Sequence, residues 1–154
     1  MRTLPQAHKF IAAIAVSSAL ILISGCSTGP MSGMMPGMMA GQKLVLSGSN
    51  EVPPVTTPAT GTATVTINPD RTVKAAVTAS NMDATASHIH QGAAGTNGPV
   101  IVPFSKTGDN TFASGADAKL TEEQYAAYKA GNLYVNVHSA KNPGGEIRAQ
   151  LSGN

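Results

Sequence analysis

The fold is decided by a stretch that reads TATVTINPDRTVKAAVTA from residue 62 to residue 79. In its first half, apolar residues alternate with threonines, which is the period-two pattern of a strand with one buried face. Residues 68–71 (Asn-Pro-Asp-Arg) indicate a turn, and a second alternation follows. Pairing Ile67 with Val73 places both apolar sets on the same side. The stretch therefore predicts a β-hairpin that packs on a core.

Outside this hairpin, short apolar runs separated by turn residues predict further strands at 87–90, 99–104, 133–139 and 146–151. One helix is expected between them, because Thr121 and Gln124 have the spacing of a capping box and Gly131 supplies a stop. Many short strands with turns between them are typical of a Greek-key sandwich. The sequence predicts an all-β domain with one short helix.

The first residues have the features of an export signal. Arg2 and Lys9 make the start basic, and residues 10–23 are apolar apart from two serines. This run is shorter than the about 20 apolar residues of a membrane-spanning helix but fits the apolar region of a signal peptide. It ends in Ile23-Ser24-Gly25-Cys26, which resembles a bacterial lipobox, so we expect the Cys26 thiol to carry the lipid. A secretory signal with an incidental cysteine, or an uncleaved anchor, are the alternatives.

The expected organisation is a signal peptide over 1–25, a lipidated tether over 26–42 and one domain over 43–154. The lipid anchor implies the bacterial cell envelope, and a serine after Cys26 favours the outer membrane, facing the periplasm or the cell surface. The tether is rich in Gly and Pro and should be flexible. It also contains methionines, whose thioethers favour copper(I), although an incidental low-complexity linker explains them equally well. These methionines are Met31, Met34, Met35, Met38 and Met39.

Charge argues against several classes of partner. Without Arg2 and Lys9, the ten Lys and Arg residues become eight and balance the eight acidic ones. No basic patch indicates nucleic acid binding. Cys26 is the only cysteine, which excludes an intrachain disulfide. The membrane, through the lipid, is the one expected partner, and the sequence names no protein partner.

Five segments together resemble the CHRD domain, the module named after chordin. The resemblance covers about Lys43 to Leu151 and implies an immunoglobulin-like β-sandwich in a secreted or surface protein, with no established catalytic activity. Ala149 departs from the glycine that many members carry there. The segments read LSGSNEVPPV (46–55), ASHIHQG (86–92), NGPV (97–100), AGNLYVNVHS (130–139) and NPGGEIR (142–148).

Three histidines of the expected domain are the candidate site. His88 and His90 are two residues apart on a strand and project from one face, and His138 lies on the polar face of a later strand. Setting Val137 opposite Ile147 in the last hairpin places Glu146 opposite His138. We expect Glu146 to orient the His138 ring or to join the three imidazoles as a ligand of copper(II) or zinc. Alternatively, the histidines hydrogen-bond loop carbonyls and serve the fold alone.

These observations predict a membrane-anchored binding module that handles copper or zinc and is not an enzyme. A structural or adhesive envelope protein without metal is the first alternative. The second is a copper oxidoreductase, because His-x-His on a Greek-key strand is loosely similar to copper–zinc superoxide dismutase. That family needs more histidines than this domain has, and a disulfide.

Overall fold

The computed structural model describes residues 40–153. The predicted signal peptide, Cys26 and the five tether methionines lie outside the described residues, so their roles stay predictions. Among residues 40–153, no helix is long and apolar enough to cross a membrane.

Eight antiparallel strands form one closed barrel, in the order β1-β2-β3-β6-β5-β4-β7-β8. A short 3₁₀ turn at Gly48–Asn50 follows the first strand, and helix α1 (Glu122–Lys129) precedes the seventh. The strands are β1 (Gln42–Ser47), β2 (Thr60–Ile67), β3 (Val73–Ser80), β4 (Ala84–Gln91), β5 (Val100–Gly108), β6 (Thr111–Ser114), β7 (Leu133–Ser139) and β8 (Ile147–Leu151).

The prediction of an all-β fold with one short helix is confirmed, but the sheet is closed instead of being split into two packed layers. β4, β5 and β6 follow one another as hairpins while β3 lies beside β6, which is a Greek-key connection. Closure comes from β1, which pairs with β8 through Ser47 and Arg148. A period-two pattern is the same in a sandwich and in a barrel, so only these long-range pairings distinguish the two.

The predicted hairpin is β2–β3, and its register is confirmed, with Ile67 opposite Val73. The turn is closed by the Asn68 N–H, which donates to the Thr72 carbonyl at 3.0 Å. Inward-facing residues of all eight strands fill the barrel. The most buried apolar ones are Leu46, Val65, Val73, Val77, Ile89, Phe112, Leu133, Val135, Val137, Ile147 and Leu151.

The capping box of α1 is also present. The Thr121 hydroxyl accepts from the Gln124 N–H at 3.2 Å, and the Gln124 side chain accepts from the Thr121 N–H at 2.9 Å. Gly131 follows the helix with a φ of +75°, as expected for a residue that ends a helix.

The outer face of β7 and β8 is the part of the fold that matters for the site. Tyr134, Asn136 and Arg148 alternate with core residues and so point away from the barrel interior, yet each is at most 2 % exposed. Two loops, residues 48–59 and 92–99, cover them. Asn50 Nδ2 donates to the Arg148 carbonyl at 3.1 Å, and Asn97 Nδ2 donates to the Val52 carbonyl at 2.7 Å. The result is a buried polar layer on the outside of the barrel wall.

Candidate metal centre

The three predicted histidines converge at the edge of this polar layer. His88 and His90 come from β4, and His138 comes from the neighbouring β7, where it pairs with Ala86. One ligand nitrogen from each ring lies within 4.8 Å of the other two. The ring centroids of His88 and His138 are 4.9 Å apart, and those of His90 and His138 are 5.9 Å apart. The prediction that these side chains come together is confirmed.

Backbone carbonyls orient two of the rings. His90 Nδ1 lies 2.9 Å from the Gly98 carbonyl oxygen, and His138 Nδ1 lies 2.9 Å from that of Pro143. A carbonyl only accepts, so each Nδ1 carries the hydrogen and each Nε2 keeps a free electron pair. This is how metal-binding histidines are usually held, with one nitrogen donating to the protein and the other left for the ion.

His88 completes the set by a different contact. Its Nδ1 lies 3.0 Å from His138 Nε2. Because His138 Nε2 carries an electron pair, His88 Nδ1 must donate in this structure. A metal ion placed among the rings would take the place of that hydrogen, with the His88 proton held on Nε2 instead.

The environment keeps all three rings neutral at pH 7. Burial lowers the pKa of His88 to about 4, and the neighbouring His138 and His90 add to this effect. Burial also lowers the pKa of His90 and that of His138, against the opposing effect of their backbone hydrogen bonds. Neutral imidazole is the form that binds metals, so protons do not compete with an ion near pH 7.

A β-bulge sits at the site. The pairing of β4 with β5 shifts register between Ile89 and His90. The extra residue is Ile101 on β5, opposite the step from Ile89 to His90, and a bulge locally disrupts the ladder and increases its twist. The His90 ring stacks on Tyr134 at a centroid distance of 4.8 Å and an angle of 10°.

Arg148 and Tyr134 hold the loop that supplies the Gly98 carbonyl. The Arg148 guanidinium lies 3.3 Å from the centre of the Tyr134 ring, and it donates to the Thr96 carbonyl at 2.7 Å and to Asn97 Oδ1 at 3.2 Å. The Tyr134 hydroxyl accepts from the Gly98 N–H at 3.2 Å. These contacts fix the loop, and the loop fixes the His90 ring.

The structure does not bring Glu146 into the group formed by the three histidines. Its register partner is as expected, since Val137 pairs with Ile147, but its carboxylate accepts from Ser139 Oγ and, at 2.6 Å, from Thr57 Oγ1. These hydrogen bonds lower the Glu146 pKa against its burial. β8 begins only at Ile147, so Glu146 belongs to the turn, where strand alternation no longer sets the side-chain direction. The Pro143 carbonyl orients His138 instead.

The structure adds a carboxyl group that the sequence analysis missed. Glu51 lies in the loop after the 3₁₀ turn and is 4 % exposed. Burial raises its pKa to about 7, while Arg148, the Val52 backbone and the Asn136 side chain act in the opposite direction. A signal for it was available, because Glu51 is the one acidic residue in the first family segment, 46–55.

Three polar atoms in this layer have no hydrogen-bond partner. They are Glu51 Oε1, Asn136 Oδ1 and His90 Nε2, and within residues 40–153 the only other such buried side-chain atom is Asn68 Oδ1. Buried polar atoms are rarely left without a partner. All three atoms carry electron pairs and can accept a hydrogen bond.

Comparison with known proteins agrees with the family motifs. No curated protein and no solved structure gives a significant match. The family model of the CHRD domain matches residues 43–151, from the second residue of β1 to the end of β8. The chain belongs to the CHRD domain family.

Proposed function

We propose that this domain binds a divalent transition metal, copper(II) or zinc, through His88, His90 and His138. One observation carries the proposal: the Nδ1 hydrogens of His90 and His138 are engaged by the Gly98 and Pro143 carbonyls. The Nε2 electron pairs of both rings are therefore available, and only that of His138 has a partner, the Nδ1 hydrogen of His88. If the histidines served only as donors to loop carbonyls, the third ring would need a loop partner as well. Instead, His88 Nδ1 faces His138 Nε2.

The chemistry of the donors supports these two metals. Imidazole is a common ligand of zinc and of copper, and metal–nitrogen bonds are about 2.0–2.1 Å long. The three nitrogens lie within 4.8 Å of one another. Any pair further apart than about 4.2 Å, twice the metal–nitrogen bond length, must draw closer when one ion is bound by all three.

The site is further proposed to work on the outer side of a bacterial membrane, held there by a lipid on Cys26. This part rests on the signal segment and the lipobox-like residues 23–26. The methionine tract between the anchor and the barrel in the sequence would offer soft ligands for copper(I), whereas the histidine site is suited to copper(II).

Calorimetric titration of the detergent-purified lipoprotein with copper(II) and with zinc tests the metal site. We expect one ion per chain in the wild type and no binding to the barrel when all three histidines are replaced by glutamine. A variant with the five tether methionines replaced by leucine separates the tether from the barrel. Unchanged affinity in the triple-histidine variant, with circular dichroism confirming its fold, would overturn the site. No binding to the wild type favours a structural or adhesive role.

A second candidate is oxidation and reduction at a bound copper. It is supported by the partial exposure of His88 and His138, which would let a small solute reach the ion. A superoxide assay on copper-loaded protein tests this function, and activity no higher than that of the same amount of free copper excludes it.

A further inference from the structure

The buried carboxyl of Glu51 interacts with Asn136, whose side chain also interacts with one of the proposed metal ligands, His90. A β-carbon on Gly145 would lie 2.5 Å from Glu51 Oε1 and 2.8 Å from Asn136 Nδ2. Both side chains are therefore packed against the same glycine. Gly145 has a φ of +131°, which a residue with a side chain rarely adopts, so the space and the backbone conformation both require glycine here.

Asn136 connects this carboxyl to the histidines. It pairs with His88 across β4 and β7, and its side chain interacts with Glu51 on one side and with the His90 ring on the other. With Asn136 Nδ2 next to the Glu51 carboxyl, its Oδ1 is the atom left without a donor, as is His90 Nε2. Glu51, Asn136 and His90 thus form a row that leads into the metal site.

Glu51 and Arg148 carry opposite charges, and Arg148 acts to lower the Glu51 pKa, so removal of the Glu51 charge leaves the layer positive before any ion is bound. The guanidinium of Arg148 donates hydrogen bonds to the Thr96 carbonyl and to Asn97 Oδ1. Glu51 Oε1 has no hydrogen-bond partner. Three neutral imidazoles bring no negative charge to offset a divalent ion. Placing two positive charges in a buried polar layer that already holds Arg148 is costly unless a negative group lies nearby.

We propose that Glu51 makes the site selective for divalent over monovalent ions, by supplying through Asn136 the negative charge that the three histidines lack. This inference rests on the proposed function. Glu51 acts here as a positioning and charge-compensating residue and not as a ligand. Its effect on a doubly charged ion should be larger than its effect on copper(I), which carries half the charge.

Glu51→Gln tests the inference, because glutamine keeps the size of the side chain and one acceptor oxygen and removes the charge. At pH 8, we expect this variant to lose 10- to 100-fold in affinity for copper(II) and zinc, the usual effect of changing a residue behind the ligands. With half the charge, copper(I) should lose about the square root of that factor, roughly 3- to 10-fold in affinity. A tenfold difference would raise the copper(II)/copper(I) midpoint potential by about 59 mV.

Glu146→Gln is the matched control. Glu146 is also a buried carboxylate, at 6 % exposure, but it bonds to Ser139 and Thr57 away from the histidines. Its removal should leave both affinities unchanged. Equal losses for copper(I) and copper(II) in Glu51→Gln, or affinities equal to those of Glu146→Gln, would overturn the role of Glu51 while leaving the histidine site intact. Failure of the wild type to bind any ion would instead overturn the proposed function.

Discussion

His88 Nδ1 lies 3.0 Å from His138 Nε2, and the direction of this hydrogen bond is set from outside the pair. The Pro143 carbonyl holds the hydrogen of His138 on Nδ1, so His138 can only accept from His88. A loop carbonyl thus decides the protonation pattern of two rings on neighbouring strands, and the contact that an ion would replace is a single hydrogen bond.

This pattern gives a spectroscopic prediction. In the metal-free protein at pH 7.5, ¹⁵N-detected imidazole spectra should show hydrogen on Nδ1 of all three rings. When zinc binds, the hydrogen of His88 should move to Nε2, whereas the hydrogens of His90 and His138 should stay on Nδ1. Hydrogen on Nε2 of His90 or His138 before zinc is added would contradict the orientation by Gly98 and Pro143.

The acid stability of the metal-free domain should depend on the histidines. Their pKa values are lowered in the folded protein, that of His88 to about 4, so between pH 6.5 and 4 the unfolded chain binds more protons. Stability must then fall as the pH falls through this window. We expect His88→Gln to lose less stability than the wild type between pH 6.5 and 5 in urea unfolding. If the free energy of unfolding falls equally with pH in the two proteins, the pKa of His88 is not lowered in the folded state.

Glu51 should act with the opposite sign. Its folded pKa of about 7 exceeds the ordinary value of 4.5, so the folded state keeps a proton that the unfolded chain has released. The stabilisation that this proton gives the folded state is complete below pH 4.5 and is lost as the pH rises to 7. Relative to wild type, metal-free Glu51→Gln should therefore gain stability from pH 5 to 7.5, by about 3 kcal/mol at most, because one pKa unit corresponds to about 1.4 kcal/mol. A constant difference across this range, compared with a Glu146→Gln control, would contradict the raised pKa.

Gly98 should be the most sensitive glycine near the site. A β-carbon there would lie 1.6 Å from the Gln91 carbonyl oxygen, so Gly98→Ala must displace the loop that orients His90. We expect a loss of about 3 kcal/mol or more, in the range of severe single substitutions, together with weaker metal binding. Gly144→Ala is the control, since a β-carbon at Gly144 meets nothing within 4 Å. Similar melting temperatures for the two variants would contradict the close approach of Gly98 to Gln91.

Local patterns were enough to predict the hairpin registers and the face of the strand on which each histidine lies. Ile67 opposite Val73 and Val137 opposite Ile147 follow from the alternation of core residues, which fixes register wherever one face is buried. The meeting of His138 with His88 and His90 was predicted only on the condition that their strands are neighbours, and the pairing of β4 with β7 meets that condition.

The parts that could not be predicted depend on contacts distant in sequence. Barrel closure rests on Ser47 meeting Arg148, and no periodicity in either strand encodes that partner. Glu51 is buried because one loop crosses the outer face of β7 and β8, and a loop residue gives no alternation from which burial can be read. Glu146 was expected beside the histidines because strand alternation was extended one residue into a turn.

The closure of the barrel has a consequence for its motions. Within residues 40–153, β1 and β8 pair at one position, Ser47–Arg148. Side-chain hydrogen bonds hold the rest of this seam, the boundary between the first and the last strand. Gln42 Oε1 accepts from the Ser152 N–H at 3.1 Å at one end, and Asn50 reaches the Arg148 carbonyl at the other. A seam with few backbone hydrogen bonds is where a barrel opens at the lowest cost. Because Arg148 also holds the loop that orients His90, we expect parting of this seam to loosen the histidine cluster as well.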